Sequence, residues 1–394
     1  MRKRKTTILL GMILLSLNLH AQWKFEGQSI GWGTINPDPS LQFQSGLRYL
    51  PSLSWGKFVK SNLVFDSEFS ANMYGTWTTK KNANDEWNGK IKPYRLWIRL
   101  ADNQWEFRAG LQKINFGSAT LLRSLMWFDR IDPRDPLQLT DGVYGLLARY
   151  YFVNNTNIWF WGLYGNQDPK GWELLSTDKE TLEWGGRIQM PVPKGEIGLA
   201  FHQRRVAPER DIQRLTSFLG LSNSWDFGNT EMPNLRKTWE RRVGFDTRWD
   251  IEIGLWTELA MIHTDFDWLP KSWQRLWTLG ADYTFSVGNG LHALYEHFGF
   301  RLVDNLWGQG DGAELSALSL NYPIGMLDNL TGMLYFDWEN ESWYRFVQWQ
   351  RAYDNWLIFG MVFWNPDTFD LYQNISGNNL FAGKGFQIMI VFNH

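Results

Sequence analysis

The chain has 394 residues, of which 44% are hydrophobic and 16% are aromatic, and it contains no cysteine. The lack of cysteine excludes disulfide scaffolds, thiolate metal sites and cysteine nucleophiles. Thirty-nine basic and 41 acidic residues give a formal net charge of -2, which provides no electrostatic footprint for nucleic acid. The chain also has 25 Trp, 14 Tyr and 26 Phe residues. Such an abundance of amphipathic rings is typical of a membrane-spanning barrel, which carries two aromatic belts.

Residues 1–21 have the three parts of a secretory signal. Basic residues from Arg2 to Lys5 precede a mostly apolar run from Ile8 to Leu17, and Leu19-His20-Ala21 offers a cleavage site. The apolar run is shorter than the roughly 20 residues that a membrane helix needs. We therefore expect a signal peptide over 1–21 and a single barrel domain over 22–394.

Alternation of apolar and polar residues identifies the strands that follow. A ten-residue segment of this kind, bounded by turn residues, is typical of an outer-membrane strand. The predicted segments are 23–33, 41–50, 61–75, 92–100, 104–116, 143–152, 156–164, 181–191, 196–205, 237–249, 251–263, 273–286, 290–301, 312–322, 329–338, 342–351, 355–364 and 384–393. We therefore predict an all-β fold, a transmembrane antiparallel up-and-down β-barrel of 16 to 18 strands, with 18 favoured. A soluble β-sandwich is the alternative.

The connections between segments alternate in length. Those after even-numbered segments are tight, and those after several odd-numbered segments are long. The tight ones are 101–103, 153–155, 192–195, 288–289 and 353–354, and the long ones are 76–91, 117–142, 165–180, 206–236 and 365–383. Short periplasmic turns and long external loops are the topology of outer-membrane barrels. The final segment, with Phe386, Ile388, Ile390 and Phe392, is expected to contact the barrel-assembly machinery.

Charged side chains occupy the opposite parity, which we expect to face the lumen because lipid excludes charge. The predicted lumen residues, offered as pore-lining or substrate-binding, are Arg95, Trp97, Arg99, Arg108, Arg149, Arg187, Arg242, Asp246, Arg248, Glu252, Glu258, Asp282 and Glu296. The basic members come first in the chain and the acidic ones dominate later, which predicts a transverse field across a pore. The alternative is that these charges pair between neighbouring strands and fill a non-conducting barrel. Trp97 and Trp256 either stack on sugars or pack within the wall.

The connection 117–142 carries both apolar and charged residues. Its run of Leu121, Leu122, Leu125, Met126, Trp127 and Phe128 needs a surface to bury against, unlike an ordinary solvent-exposed loop. We therefore expect this loop to fold into the lumen and narrow it, presenting Arg123, Asp129, Arg130 and Asp132 to solutes. An external lid packed on neighbouring loops is the alternative.

Two neighbouring stretches resemble a known pattern. Residues 108–117 read Arg-Ala-Gly-Leu-Gln-Lys-Ile-Asn-Phe-Gly, and residues 128–136 read Phe-Asp-Arg-Ile-Asp-Pro-Arg-Asp-Pro. They are similar to porin-like barrels of the alginate-export and porin superfamily, and the signal ending Leu-His-Ala-Gln resembles those of Bacteroidetes exported proteins. The resemblance implies an outer-membrane β-barrel that acts as a passive channel, without implying a substrate.

The functional expectation is a porin-like channel in the outer membrane of a Gram-negative bacterium. It would pass small polar or charged solutes, including saccharides, and would lie in outer-membrane lipid, with homo-oligomerisation left open. The alternative is a filled, lectin-like surface barrel that binds capsule or other polysaccharide through its external loops. The sequence has six His, no zinc-helix spacing and no Gly-x-Ser-x-Gly motif, so we expect no catalysis, no metal site and no cofactor.

Overall fold

The computed structural model describes residues 22–37, 42–59, 62–80, 84–208, 211, 236–265, 271–367 and 381–394. The strands are β1 (Gln22–Asn36), β2 (Gln42–Phe58), β3 (Val64–Lys80), β4 (Glu86–Ala101), β5 (Trp105–Gln112), β6 (Val143–Tyr151), β7 (Asn157–Leu163), β8 (Glu183–Val192), β9 (Gly195–Val206), β10 (Thr238–Asp250), β11 (Gly254–Thr264), β12 (Trp273–Phe285), β13 (Leu291–Val303), β14 (Asp311–Pro323), β15 (Asp328–Asp337), β16 (Ser342–Ala352), β17 (Trp356–Trp364) and β18 (Lys384–Asn393). The predicted signal, 1–21, and most of the 206–236 connection lie outside the described residues.

The eighteen strands form one closed sheet. Each strand pairs antiparallel with its neighbours in sequence, and β1 also pairs with β18 through a register that joins Gln28 to Asn393. Closure leaves no unpaired sheet edge. The all-β prediction and its favoured count of eighteen strands are therefore confirmed. In the part of the chain that the structure describes, no helix is long and apolar enough to cross a membrane.

The two ends of the barrel differ in their connections. At one end, which we call the turn end, the strands join through short segments such as 193–194, and Gln22 and His394 lie at the same end. Asn155 and Lys194 have positive φ in two of these turns. The opposite end, the loop end, carries the connections 113–142 and 164–182. The predicted long loop 76–91 is wrong, because β3 and β4 both extend and leave only 81–85 between them.

The outward face of the barrel is apolar, as the last strand shows. Phe386, Ile388 and Ile390 on β18 are 41%, 45% and 43% exposed. Met389 and Val391, which alternate with them along the strand, are buried. A face of large exposed apolar side chains around a closed barrel has the character of a surface that contacts lipid.

A β-bulge in β4 brings two consecutive side chains to the interior. The register between β3 and β4 shifts at Ser70/Ala71, so that Ser70 pairs with Arg95 and Ala71 with Pro93. Tyr94 is the extra residue, and bulges tolerate a proline such as Pro93, which has no N–H for the ladder. Tyr94 packs against a buried apolar cluster that includes Ile30 and Val391, and Arg95 donates a hydrogen bond to the carbonyl of Thr140 in the connection 113–142.

Candidate pore and its inner loop

Two glycines direct the chain from β5 into the barrel. Gly110 and Gly117 have φ values of 117° and 101°, which other residues rarely adopt. A Cβ atom on Gly110 would collide with the carbonyl oxygen of Leu96, and one on Gly117 would collide with the Glu258 carboxylate. Both glycines belong to the stretch 108–117 that carries the sequence resemblance, so this pattern has a structural role at the loop entrance.

The segment 117–142, which we call the inner loop, is held to the opposite wall by two carboxylates. Glu258 on β11 accepts hydrogen bonds from the backbone N–H groups of Ala119 (2.9 Å) and Leu125 (3.0 Å). Glu296 on β13 accepts three more, from Thr120 (2.6 Å), Leu121 (2.8 Å) and Leu122 (2.6 Å). Buried backbone N–H groups need hydrogen-bond acceptors, and these two carboxyl groups supply them for five loop residues. The expectation that the loop folds into the lumen is therefore confirmed.

A hydroxyl on the strand between these two, β12, and an indole on β11 add to the attachment. Thr278 on β12 donates to the carbonyl of Leu122 (2.6 Å) and bonds the Ser124 hydroxyl (2.7 Å). Trp256 is 2% exposed and donates its indole N–H to Glu296 at 3.0 Å. The interpretation of Trp256 as a packed wall residue, rather than a stacking platform for sugars, is therefore correct.

The apolar residues of the inner loop pack into an aromatic cluster inside the barrel. Leu122 and Leu125 are 0% and 1% exposed. Phe116 stacks on Trp161 of β7 with ring centroids 5.8 Å apart, and Phe128 meets the same indole edge-on at 5.3 Å. Burial of these rings stabilises the inward position through the hydrophobic effect.

The segment 164–182, which we call the second loop, also lies inside and rests on the inner loop. Trp172 donates its indole N–H to the carbonyl of Arg123 (2.8 Å) and stacks on Phe298 of β13 at 4.4 Å. Glu173 forms ion pairs with Arg204 (2.8 Å) and Arg242 (2.6 Å) of the β9–β10 wall. The lumen therefore holds two stacked loops on the side of β9 to β13.

The far end of the inner loop reaches the opposite wall. Leu137 and Leu139 pack against a cluster formed by inward residues of β1, β2, β17 and β18, including Ile30 and Val391. Arg134 lies over the ring of Phe346 on β16 at 5.8 Å. The loop thus crosses the interior from the β11–β13 wall to the seam where the barrel closes.

The charged residues predicted on the inner loop are arranged differently from the expectation. Arg123 and Asp129 are buried and pair with each other at 3.0 Å, so they do not face solutes. Both residues are surrounded by buried protein, where an unpaired charge would be costly, and this explains why they pair with each other. Asp132 is half-buried and pairs with Arg134 at 2.6 Å, and Arg130 is also half-buried.

The charges of the barrel wall pair locally, within one strand or with a strand one or two positions away. Most of the predicted lumen residues face inward, and the ion pairs are Arg99–Asp66, Arg108–Glu106, Arg149–Glu106, Arg187–Asp246, Arg242–Glu240 and Arg248–Asp282. Trp97 donates to Glu68 at 3.1 Å, beneath the Arg108 guanidinium. Such local pairing cancels much of a field across the lumen.

The predicted acidic wall is wrong for two reasons. The inward face of β13 to β18 is largely apolar, with buried Phe298, Tyr335, Phe346 and Phe363. Glu258 and Glu296 are fully buried and are engaged by the inner loop rather than by water. Glu252 is also misplaced, because β11 begins at Gly254 and leaves this residue exposed in the turn 251–253. The alternation of apolar and polar residues does not show when the first residues of a predicted strand belong to the preceding turn.

The partly exposed inward charges lie on the side of β2 to β6, at Arg248 and Asp282 of β10 and β12, and on the two loops. Arg99, Arg108 and Arg149 retain 30%, 17% and 16% exposure of their side chains. Burial lowers the pKa of Lys170 in the second loop, and nearby Arg130 lowers that pKa further. Burial likewise lowers the pKa of Lys113 at the start of the connection. The part of the interior that the two loops do not fill is therefore mainly basic.

Three interior residues were not among the predicted site residues. Arg48 and Tyr94 lie where the inner loop meets β1 to β4, and Glu173 attaches the second loop. The parity of β2 already placed Arg48 inward, but nothing in the sequence singled it out. Within the described ranges, no group of three or more His, Asp or Glu side chains could hold a metal ion.

Comparison with solved structures identifies similar folds. An outer-membrane protein, OmpT of Vibrio cholerae in a trimer form, matches with a TM-score of 0.50 and 10% identity over 95% of this chain and 99% of that one. OmpF of Salmonella typhi, in complex with daunomycin, matches with a TM-score of 0.49 and 10% identity over 94% and 97%. No protein-family profile and no curated protein matches the sequence. The closed 18-strand antiparallel barrel is an outer-membrane porin fold.

Proposed function

We propose that the protein is a porin-type channel of the outer membrane of a Gram-negative bacterium, passing small polar or charged solutes. The observation that carries the proposal is the inner loop, which Glu258 and Glu296 fix across the lumen while Arg99, Arg108 and Arg149 stay partly exposed beside it. In such a pore, charged side chains at a narrow passage select among solutes. The loop end would face outward and the turn end the periplasm.

Conductance in planar lipid bilayers tests this proposal. Purified protein should give discrete channel openings in potassium chloride, with current carried past the basic side of the interior. A preparation that keeps its folded electrophoretic mobility yet gives no openings would contradict the channel. Uptake of saccharides, membership of the alginate-export and porin superfamily and an origin in the Bacteroidetes stay predictions.

The second candidate is a filled barrel that binds polysaccharide through its external loops without conducting. Two observations favour it: the second loop stacks on the inner loop through Trp172, and the inward face of β13 to β18 is apolar and buried. Pulldown with surface polysaccharide, alongside the bilayer recordings, separates the candidates. Binding without conductance supports the filled barrel, and conductance without binding supports the channel.

A further inference from the structure

Arg48 lies on the inward side of β2 between two aromatic rings. Its Cζ atom is 5.6 Å from the ring centroid of Trp32 on β1 and 5.4 Å from that of Tyr74 on β3. The strand register places them together, because Arg48 pairs with Tyr74 and Trp32 pairs with Gly46. Gly46 leaves space for the Trp32 ring to lie against the strand, where any Cβ would collide with it.

The positive charge of Arg48 attracts the Asp135 carboxylate of the inner loop but forms no ion pair with it. Among the residues that the structure describes, no carboxylate forms an ion pair with Arg48, and its Nε atom is buried without an acceptor. By contrast, Arg248, which lies over Trp256 at 5.1 Å, has both Asp250 and Asp282 as partners. Arg48 therefore has donor capacity that the protein does not use.

A guanidinium flanked by two rings retains specific chemistry. Cation–π attraction holds it near the two rings, and its N–H groups, which lie in its own plane, stay able to donate hydrogen bonds. These donors match the two oxygens of a carboxylate or phosphate, which arginine binds through parallel hydrogen bonds. Arg48 is partly exposed, as are Trp32 and Tyr74, so the group is open to the lumen.

The surroundings of Arg48 add positive charge and place it beside the inner loop. Arg95 stacks on Tyr94 at 4.0 Å and donates to the carbonyls of Tyr94 and Thr140, with no carboxylate partner in the described part of the chain. Leu137 and Leu139 pack on the cluster that includes Trp32. The Asp135 carboxylate accepts the N–H groups of these two leucines and so is engaged within the loop.

We propose that Arg48, held between Trp32 and Tyr74, is an oxyanion-binding site that takes a carboxylate or phosphate group of a solute in the lumen. Oxyanions satisfy the unused donors, and the flanking rings contact the remainder of the solute. A role of this site in permeation rests on the proposed channel function, but binding itself does not require conduction.

Phosphorus NMR of inorganic phosphate, titrated with the purified full-length protein in detergent, tests the site without using conductance. Wild-type protein should broaden the phosphate resonance in a saturable manner, and Arg48→Gln should remove that saturable component. Arg48→Lys keeps the charge but not the planar fork, so binding about tenfold weaker is expected. Arg351→Gln, the matched control from an arginine that lies over the Tyr353 ring at 5.4 Å and is ion-paired with Asp328, should broaden the resonance as wild type does.

Competition of acetate and chloride with bound phosphate separates the two oxyanion sources. Displacement of phosphate by acetate, at concentrations where chloride has no effect, supports a site shared by carboxylates and phosphates. Retention of phosphate against acetate supports a site for phosphate groups alone. Equal broadening by wild type and by folded Arg48→Gln or Arg48→Lys protein would overturn the proposal, as would equal displacement by chloride. Failure of the channel proposal would instead leave the phosphate titration intact and abolish only the bilayer currents.

Discussion

Gly117 and the Glu258 carboxylate are in such close contact that a side chain at position 117 would have to displace the carboxylate. A Cβ atom there would collide with Oε1 of Glu258, and the φ of 101° also disfavours one. This contact is where the chain leaving β5 turns into the lumen and where the opposite wall receives it. The position of the inner loop therefore depends on Gly117, which follows β5, and on Glu258 of β11.

Replacing Gly117 by Ala should destabilise the protein or displace the loop. The strained backbone and the steric conflict together should lower the free energy of unfolding by about 1–3 kcal/mol. Urea unfolding of the protein reconstituted in lipid vesicles, followed by tryptophan fluorescence, measures this. Gly332→Ala is the matched control, because its Cβ would meet nothing within 4 Å. Equal stability of the two variants would show that the approach of Glu258 imposes no constraint.

Replacing both Glu258 and Glu296 by Gln should loosen the inner loop. Each Gln keeps only one of the two acceptor oxygens that serve these five backbone N–H groups, and each hydrogen bond lost contributes about 0.5–1.5 kcal/mol. We expect single-channel conductance to rise and proteases to cut within 117–142. Glu26→Gln, at an exposed carboxylate paired with Lys24, should leave both unchanged. Unaltered conductance and protease resistance in the double variant would mean that packing alone fixes the loop.

Replacing Glu173 by Gln should weaken the attachment of the second loop. Arg204 and Arg242 are fully buried and share Glu173 and Glu240. Removal of one carboxylate from a buried ion-pair network typically costs about 3–5 kcal/mol, because a buried charge loses its partner. The vesicle unfolding midpoint should fall accordingly. A midpoint within error of wild type would show that Glu240 alone satisfies both guanidinium groups.

Anion preference should decline as the pH rises into the alkaline range. The pKa of Lys170 is lowered by burial and by Arg130, so Lys170 loses its proton below the ordinary lysine value of about 10.4. Reversal potentials across a salt gradient should then shift toward lower anion selectivity at a pH where other lysines are still charged. Lys170→Gln should show the lower selectivity already at neutral pH, and Lys24→Gln should behave as wild type. A flat profile in wild type would exclude Lys170 from the ion path.

The orientation in the membrane can be tested because the chain has no cysteine. Trp307, in the loop-end connection 304–310, and Met326, in the turn-end connection 324–327, are both highly exposed, at 83% and 101%. Trp307→Cys should react with an impermeant maleimide on intact cells, and Met326→Cys should react only after lysis. The reverse pattern would place the turn end outside.

Alternating hydrophobicity was sufficient to predict all eighteen strands, because lipid-facing positions impose a strict two-residue period. The same reasoning predicted an inward loop from Leu121, Leu122 and Trp127. It failed where partners come from distant sequence. No local pattern shows that Glu296 bonds loop amides 174–176 residues away. It also failed for β13 to β18, where the interior is packed and buried apolar residues occupy inward positions.

Deletion of residues 121–136, with single-channel conductance measured against wild type in planar bilayers, tests the central claim most directly. This segment contains the amides held by Glu296 and the apolar run buried in the lumen. If the inner loop narrows an open pore, wild type conducts and the folded deletion variant conducts several-fold more. Equal conductance of the two proteins, or none in wild type, would contradict the account.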